Sequence, residues 1–214
     1  MLANRLEGNT GLDRHGARDA LRAATRAVHA RLHRHPGFLA LVDGTLSLAA
    51  YRGLLLRLYG FHRPLEDALL SAPRHWWLRL DPSPRRRAHR LADDLVALGL
   101  ETGELARIPR APSPLIRCAA HLFGCPYVRE GATLGGRALA PSLDRLLGPG
   151  QAGRQFFSGR VDDGALWGEF CATLERTGNR HLPTIVDAAC ATFAGFEAWL
   201  DNAPPPPSET EKPR

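Results

Sequence analysis

Between Leu21 and Leu32 the apolar positions are Leu21, Ala24, Thr25, Val28 and Leu32. This three-and-four spacing lays one stripe along one face of an α-helix. Ala and Leu favour that conformation, and neither Gly nor Pro interrupts the run. The spacing returns at Tyr51, Leu54, Leu55, Leu58, Phe61, Leu65 and Leu69, at Leu91, Leu95 and Leu98, and at Leu166, Phe170 and Leu174. It closes with Ala188, Ala191, Thr192, Phe196, Trp199 and Leu200. No stretch shows the alternation of a strand. A helix with one apolar face must bury it against another element, so the class is all-α. The 214 residues suffice for one domain with a substantial core.

Punctuation residues set the expected boundaries. The first helix runs from Ala17 to Arg34, where His35-Pro36-Gly37 stops it. A short turn follows at Phe38–Val42. Ser47 caps a long helix over Leu48–Leu70, in which Pro64 should introduce a kink. One helix is expected from Ser83 through Leu98, with Gly99 as its C-cap. Arg85-Arg86-Arg87 reads as its solvated first turn, or as part of a docking patch for an acidic partner. Ser113-Pro114 opens a helix from Leu115 to about Phe123 or beyond. Asp162 or Asp163 caps one over Ala165–Arg176, and His181-Leu182-Pro183 opens the last. Residues 1–15 are polar and aperiodic and read as a flexible arm. The helical domain covers 16–202, and 203–214, with Pro204–Pro207, reads as a disordered Pro-rich tail.

Several function classes are set aside by composition. No run of about 18 apolar residues is present, which argues against a membrane span. Met1 to Arg14 lacks an apolar signal core. Cys118, Cys125, Cys171 and Cys190 form no CxxC pair and fall in expected helices, as buried thiols of a reducing, cytoplasmic setting do. The net charge is +6 and the pI about 9.8. Lys212 is the sole lysine, so an anion clamp in the folded domain must use Arg, His or backbone N–H. The arginines are spread along the chain without a nucleic-acid motif, which argues against nucleic acid as a partner.

Two stretches carry candidate chemistry. His29 stands on the border of the Leu21–Leu32 stripe, with Arg22, Arg26 and His33 on the same flank. An imidazole half facing the core with cations beside it suits an apolar, metal-bearing ligand fringed with negative charge. A satisfied structural histidine is the alternative, and the His29/His33 pair lacks further ligands for zinc. His62 in the Leu48–Leu70 helix reads either as packing or as a second functional imidazole. The second stretch, Tyr127 to Ala140, has helical flanks yet contains Gly131, Gly135 and Gly136. Each costs about 1 kcal/mol against Ala in a helix. Gly131 and Gly135 are i,i+4 neighbours. Their bare face admits either close approach of backbone to a flat ligand or close helix packing.

Together these stretches resemble the heme oxygenase family. Leu21-Arg22-Ala23-Ala24-Thr25-Arg26-Ala27-Val28-His29 is similar to its proximal-helix signature. Glu130-Gly131-Ala132-Thr133-Leu134-Gly135-Gly136 is similar to its glycine-rich distal helix. Tyr51 to Glu66, with its Gly-Phe-His-x-Pro-Leu-Glu run, resembles the bacterial branch associated with bacteriophytochromes. The resemblance spans about 17–201. It implies a single-domain helical bundle that sandwiches heme between the proximal and distal helices. His29 would ligate the iron as a neutral imidazole. Arg22 would face a propionate, with Tyr127, Arg176 and Arg180 as further candidates. Gly131, Gly135 and Gly136 would let distal backbone crowd the bound O2. The implied reaction turns heme, O2 and electrons into biliverdin, CO and ferrous iron. Heme acts there as both substrate and cofactor. A ferredoxin- or reductase-type donor would supply the electrons, and a bilin-accepting photoreceptor could take the product; a monomer is expected.

One departure matters. Some family members carry Asp directly after the first distal glycine, where it organises a water network; this chain has Ala132. That residue motivates a second reading, a heme-binding or heme-trafficking module without ring opening. A third, a thiamin-degrading or non-heme iron enzyme on a related bundle, would want a cysteine nucleophile or clustered carboxylates. No such cluster is evident in the sequence.

Overall fold

A computed structural model describes residues 16–77 and 80–203. The expected arm and nearly all of the expected tail lie outside them. Among the described residues every regular element is helical. Helix α1 (Ala17–His33) buries Ala17, Leu21, Thr25, Val28 and Leu32; of the stripe read from the sequence, Ala24 alone is exposed. Its N-terminus is capped from a distance: the Glu175 carboxylate accepts the backbone N–H of Ala17 and of Arg18, each at 2.9 Å. An acceptor there satisfies orphan donors and complements the helix dipole. Short α2 (Pro36–Val42) leads to α3 (Leu48–Leu70), where Ser47 Oγ accepts from Ala50 N at 3.2 Å.

Helix α3 runs unbroken through Pro64. Pro64 has no N–H for the Gly60 carbonyl, and that carbonyl instead accepts from Ala111 N at 2.9 Å. Gly60 permits the approach, since a Cβ there would lie 2.4 Å from the Pro109 carbonyl oxygen. Gly60 and Pro64 thus form a docking notch for the segment around Ala111.

The expected helix over Ser83–Leu98 is divided. A 3₁₀ turn (Ser83–Arg85) ends at Arg86, whose ψ of 141° is extended, and α4 spans Ala88–Ala97. The buried carboxylate of Glu66 on α3 causes the break. It accepts Arg87 N at 2.6 Å and Ala88 N at 3.1 Å, so the helix begins there. The expected solvated turn is also corrected: Arg85 and Arg87 are buried and only Arg86 is exposed. Likewise residues 113–117 are not helical, α5 spans His121–Leu139, and Cys118 lies in a bend. Of the four free cysteines, Cys125 alone is buried; the other three are half-buried.

Short α6 (Asp144–Leu147) and α7 (Gln155–Ser158) lead to α8 (Asp163–Thr177) and α9 (Leu182–Asn202). Asp94 of α4 caps α7, accepting Gln155 N at 2.7 Å and Phe156 N at 2.9 Å. Asp162 occupies the N-cap of α8 without a side-chain capping bond, its carboxylate accepting from Arg160 instead, while Asp163 is buried.

Helix α9 is the common wall. Helix α1 lies along it in parallel, pairing Ala24 with Cys190, His29 with Phe193, and Arg31 with Glu197. Helix α3 clamps its far end: Trp199 Nε1 donates to the Arg57 carbonyl at 2.8 Å, and Arg57 Nη1 donates to the Leu200 carbonyl at 2.6 Å. Helix α5 crosses it at Gly124, where a Cβ would stand 2.3 Å from the Ile185 carbonyl oxygen and 2.6 Å from Ala188 Cβ.

That crossing leaves no room for a methyl group. Gly124→Ala should destabilise the protein by about 2 kcal/mol, the overpacking penalty exceeding the gain in helix propensity. A thermal melt should show a midpoint about 4–8 °C lower for a chain of this size. An unchanged midpoint would mean that α5 and α9 do not cross so closely.

Candidate functional site

The α1 stripe that packs on α9 leaves its border residues outward. His29 is exposed, with its ring 6.4 Å from Phe193 on α9 and 4.5 Å from the His33 ring. Partial burial, then the neighbouring His33, push its pKa below the ordinary value. Both favour a neutral imidazole, the form that ligates metal. Arg22 and Arg26 are exposed on the same helix. Among the described residues no group of three or more His, Cys, Asp or Glu side chains could hold a metal ion.

Helix α5 carries the second candidate stretch. Among the described residues, a Cβ added to Gly131 or to Gly135 would meet nothing within 4 Å. Close helix packing through these two glycines is therefore excluded, and their bare face borders open space. Gly136 differs. A Cβ there would lie 3.4 Å from the Phe157 carbonyl oxygen of α7, so Gly136 sits on the packed side. Of the three candidate glycines, the structure thus puts two on the open face.

Arg22 and Tyr127 come within electrostatic reach of each other. Burial raises the Tyr127 pKa, Cys171 adds to the rise, and Arg18 and Arg22 oppose it. The Tyr127 ring lies 6.0 Å from Trp167 of α8, and the Arg18 guanidinium stands 5.8 Å from the same indole. Helices α1, α5 and α8 thus meet around Tyr127 and Trp167. Arg176 and Arg180 are exposed; Arg176 donates to Thr173 Oγ at 2.9 Å, and Arg180 lies in the 3₁₀ turn Gly178–His181. Neither is placed in the Arg22–Tyr127 group.

Behind Gly131 lies a buried ionic network. Arg129 and Glu130 immediately precede the glycine and are 2 % and 3 % exposed. Arg129 Nη2 donates to Glu130 Oε1 at 2.6 Å, and Arg85 Nη1 donates to Glu130 Oε2 at 3.1 Å. Arg85 also donates to Glu169 at 2.5 Å and to the Leu166 carbonyl at 2.9 Å. Asp163 pairs with Arg90 at 3.2 Å and Arg87 at 3.5 Å. Burying charges is costly unless they are paired, which these contacts achieve, while the buried Arg85 Nε keeps no hydrogen-bond partner. The Arg85-Arg86-Arg87 run gave no hint of this role, because its partners lie far along the chain.

The candidate residues thus comprise an exposed imidazole on α1, two glycines bordering open space on α5, and Arg22 within electrostatic reach of Tyr127. The heme oxygenase family model matches residues 16–202. The chain belongs to the heme oxygenase family. It is 34% identical over 168 residues to a heme oxygenase of Xanthomonas campestris pv. campestris (strain 8004), covering 75% of this chain and 94% of that one. Its fold matches the NO- and CO-bound heme oxygenase of Neisseria meningitidis with a TM-score of 0.68, at 19% identity, over 92% of this chain and 99% of that one. It also matches heme oxygenase-1 of the cyanobacterium Synechocystis in complex with heme, with a TM-score of 0.63, at 16% identity, over 87% and 91% of the two chains. The protein is thus an enzyme of heme degradation, with an all-helical heme oxygenase fold. No described helix is long and apolar enough to cross a membrane.

The open glycine face yields an opposed pair of effects. Gly131→Ala should stabilise the heme-free protein by about 1 kcal/mol, since the helix gains propensity and nothing is struck. In the same variant hemin affinity should fall about tenfold, or about 1.4 kcal/mol, because the methyl group enters the cleft. Thermal melts and a hemin titration read the two effects. Unchanged hemin affinity would take Gly131 out of the cleft wall.

Proposed function

We propose that this enzyme cleaves heme oxidatively to biliverdin, CO and ferrous iron, consuming O2 and electrons from an external donor. The observation that carries the reading is the pairing of an exposed, neutral His29 with the bare Gly131/Gly135 face of α5. These residues fit a flat, iron-bearing ligand. His29 would hold the iron, and Arg22 and Tyr127 would hold a propionate. Arg176 and Arg180 remain candidates for the second propionate through side-chain motion. Gly131 and Gly135, with Gly136 supporting their helix from its packed side, would bring backbone against the distal face and limit the space there. When bound, heme supplies the redox chemistry at iron. The protein's part is to orient the ring, exclude bulk water and place hydrogen-bonding groups.

The net charge of +6 suits an acidic donor of the ferredoxin type, whose encounter with a basic surface is electrostatically favoured. A reductase-type donor is the other candidate. The Tyr51–Glu66 resemblance to bacteriophytochrome-associated members makes a bilin-accepting photoreceptor a fitting recipient of the product. The four free cysteines suit a cytoplasmic setting. Ala132 favours a second reading, in which the protein binds and passes on heme without opening the ring.

Purified protein loaded with hemin, supplied with a ferredoxin system and NADPH in air, separates the two. Loss of the Soret band with growth of far-red bilin absorption is expected. A Soret band that persists through reduction in air would establish the trafficking reading instead.

A further inference from the structure

Helix α9 carries a second open face. Its Phe193 and Glu197 meet His29 and Arg31 of α1. At about 100° per residue, Ala188, Ala191, Gly195, Ala198 and Asn202 fall on the opposite side. There they line a groove of about 510 Å³, together with Phe61 and Leu65 of α3 and Pro112, Pro114 and Leu115 of the segment beside the Gly60 notch. The groove is therefore separate from the candidate heme site. It lies open: Ala191, Gly195, Ala198 and Asn202 are exposed, and the aliphatic Leu115 is 67 % exposed. Among the described residues nothing lies within 4 Å of a Cβ added to Gly195. Among them, too, no Asp, Glu, Lys or Arg lines the groove. Such a surface suits an apolar, uncharged occupant.

The chain supplies one where the groove ends. Asn202, on its lining, is the last residue of α9. Ala203 follows, buried, with φ −57° and ψ 135°. That is the extended geometry a residue before proline adopts, and it lies close to polyproline II. Pro204 to Pro207 come next. Four residues of polyproline II extend about 12 Å, and α9 from Asn202 back to Gly195 measures about 10 Å. Proline-rich segments dock in apolar, aromatic-lined grooves because their helix is preformed and loses little entropy on binding. Trp199 supplies the aromatic ring here. Its Nε1 is committed to the Arg57 carbonyl, so the contact it offers is apolar. A composition that cannot build a core by itself is no bar to ordering on a partner surface. A tether also raises the effective concentration into the millimolar range, so a weak contact suffices. Residues 203–214 lie outside the family match at 16–202, which makes this pairing a feature of the chain rather than of the family.

We propose that the segment Pro204–Pro207 turns back along α9 and occupies this groove. It covers the exposed Ala198 face and Leu115, and it leaves the His29 side of α9 untouched.

The test uses the unaltered chain, with alanine and leucine methyl groups labelled throughout and a segmental proline label confined to 204–214. Nuclear Overhauser contacts from Pro204–Pro207 to the methyl groups of Ala198 or Leu115 are expected. Contacts to neither overturn the proposal. Gly195→Leu, in the same chain, places a branched side chain in the groove without striking a described neighbour. It should abolish those contacts while the methyl signals of the buried core keep their positions. Contacts that persist in Gly195→Leu would place the segment elsewhere and overturn the proposal as well. A mixture of proline-labelled and methyl-labelled copies identifies the source of the segment. No contact between copies is expected, and contacts found only between copies would give the groove to a second copy and overturn the intramolecular assignment.

Discussion

The crossing of α5 over α9 at Gly124 is the contact on which the cleft depends. Helix α9 carries α1 along one side through His29–Phe193 and Arg31–Glu197, and it meets α5 where a side chain would collide with the Ile185 carbonyl. Because α5 is held this close at its start, the position of its glycine segment, two turns later, is fixed against the same helix that carries α1. Dispersion and burial along these interfaces then hold both walls in place. A bulkier crossing residue would separate the walls without touching either of them.

The distal wall has a cost that its glycines alone do not explain. Three glycines in α5 give up about 3 kcal/mol of helix propensity. The stretch is braced from behind by Arg129 and Glu130, which tie to Arg85 and through it to Glu169 on α8. Apolar residues of similar volume often replace such buried pairs at no loss in stability. What a network of directional, charge-assisted bonds adds is a fixed orientation. At the residues directly before Gly131, that fixes where the bare face of the helix points. Glu66 contributes in the same region by starting α4 at Ala88, which brings Arg87 and Arg90 against Asp163.

The periodic elements were legible because their cause is local. The Leu21–Leu32 stripe, the span of α3 and the flank that holds His29 follow from residue spacing alone. The glycines of α5 were legible as a cost in need of compensation, though the sequence could not say that Gly136 packs on Phe157 while Gly131 and Gly135 stay open. What escaped has long-range causes. The Arg85–Arg87 run looks solvated until Glu130, 45 residues on, is seen beside it. The start of α4 is set by Glu66, 21 residues before Arg87. Gly60 and Gly124 look unremarkable until another backbone is found against them.

The central claim is that heme sits in this cleft with its iron on His29 rather than on the adjacent His33. The iron–imidazole stretching band of the ferrous heme complex, read by resonance Raman, tests it most directly. The band should be present in the unaltered protein and in His33→Ala, absent in His29→Ala, and restored to that variant by added imidazole. A band that survives in His29→Ala without added imidazole would contradict the account and place the iron elsewhere.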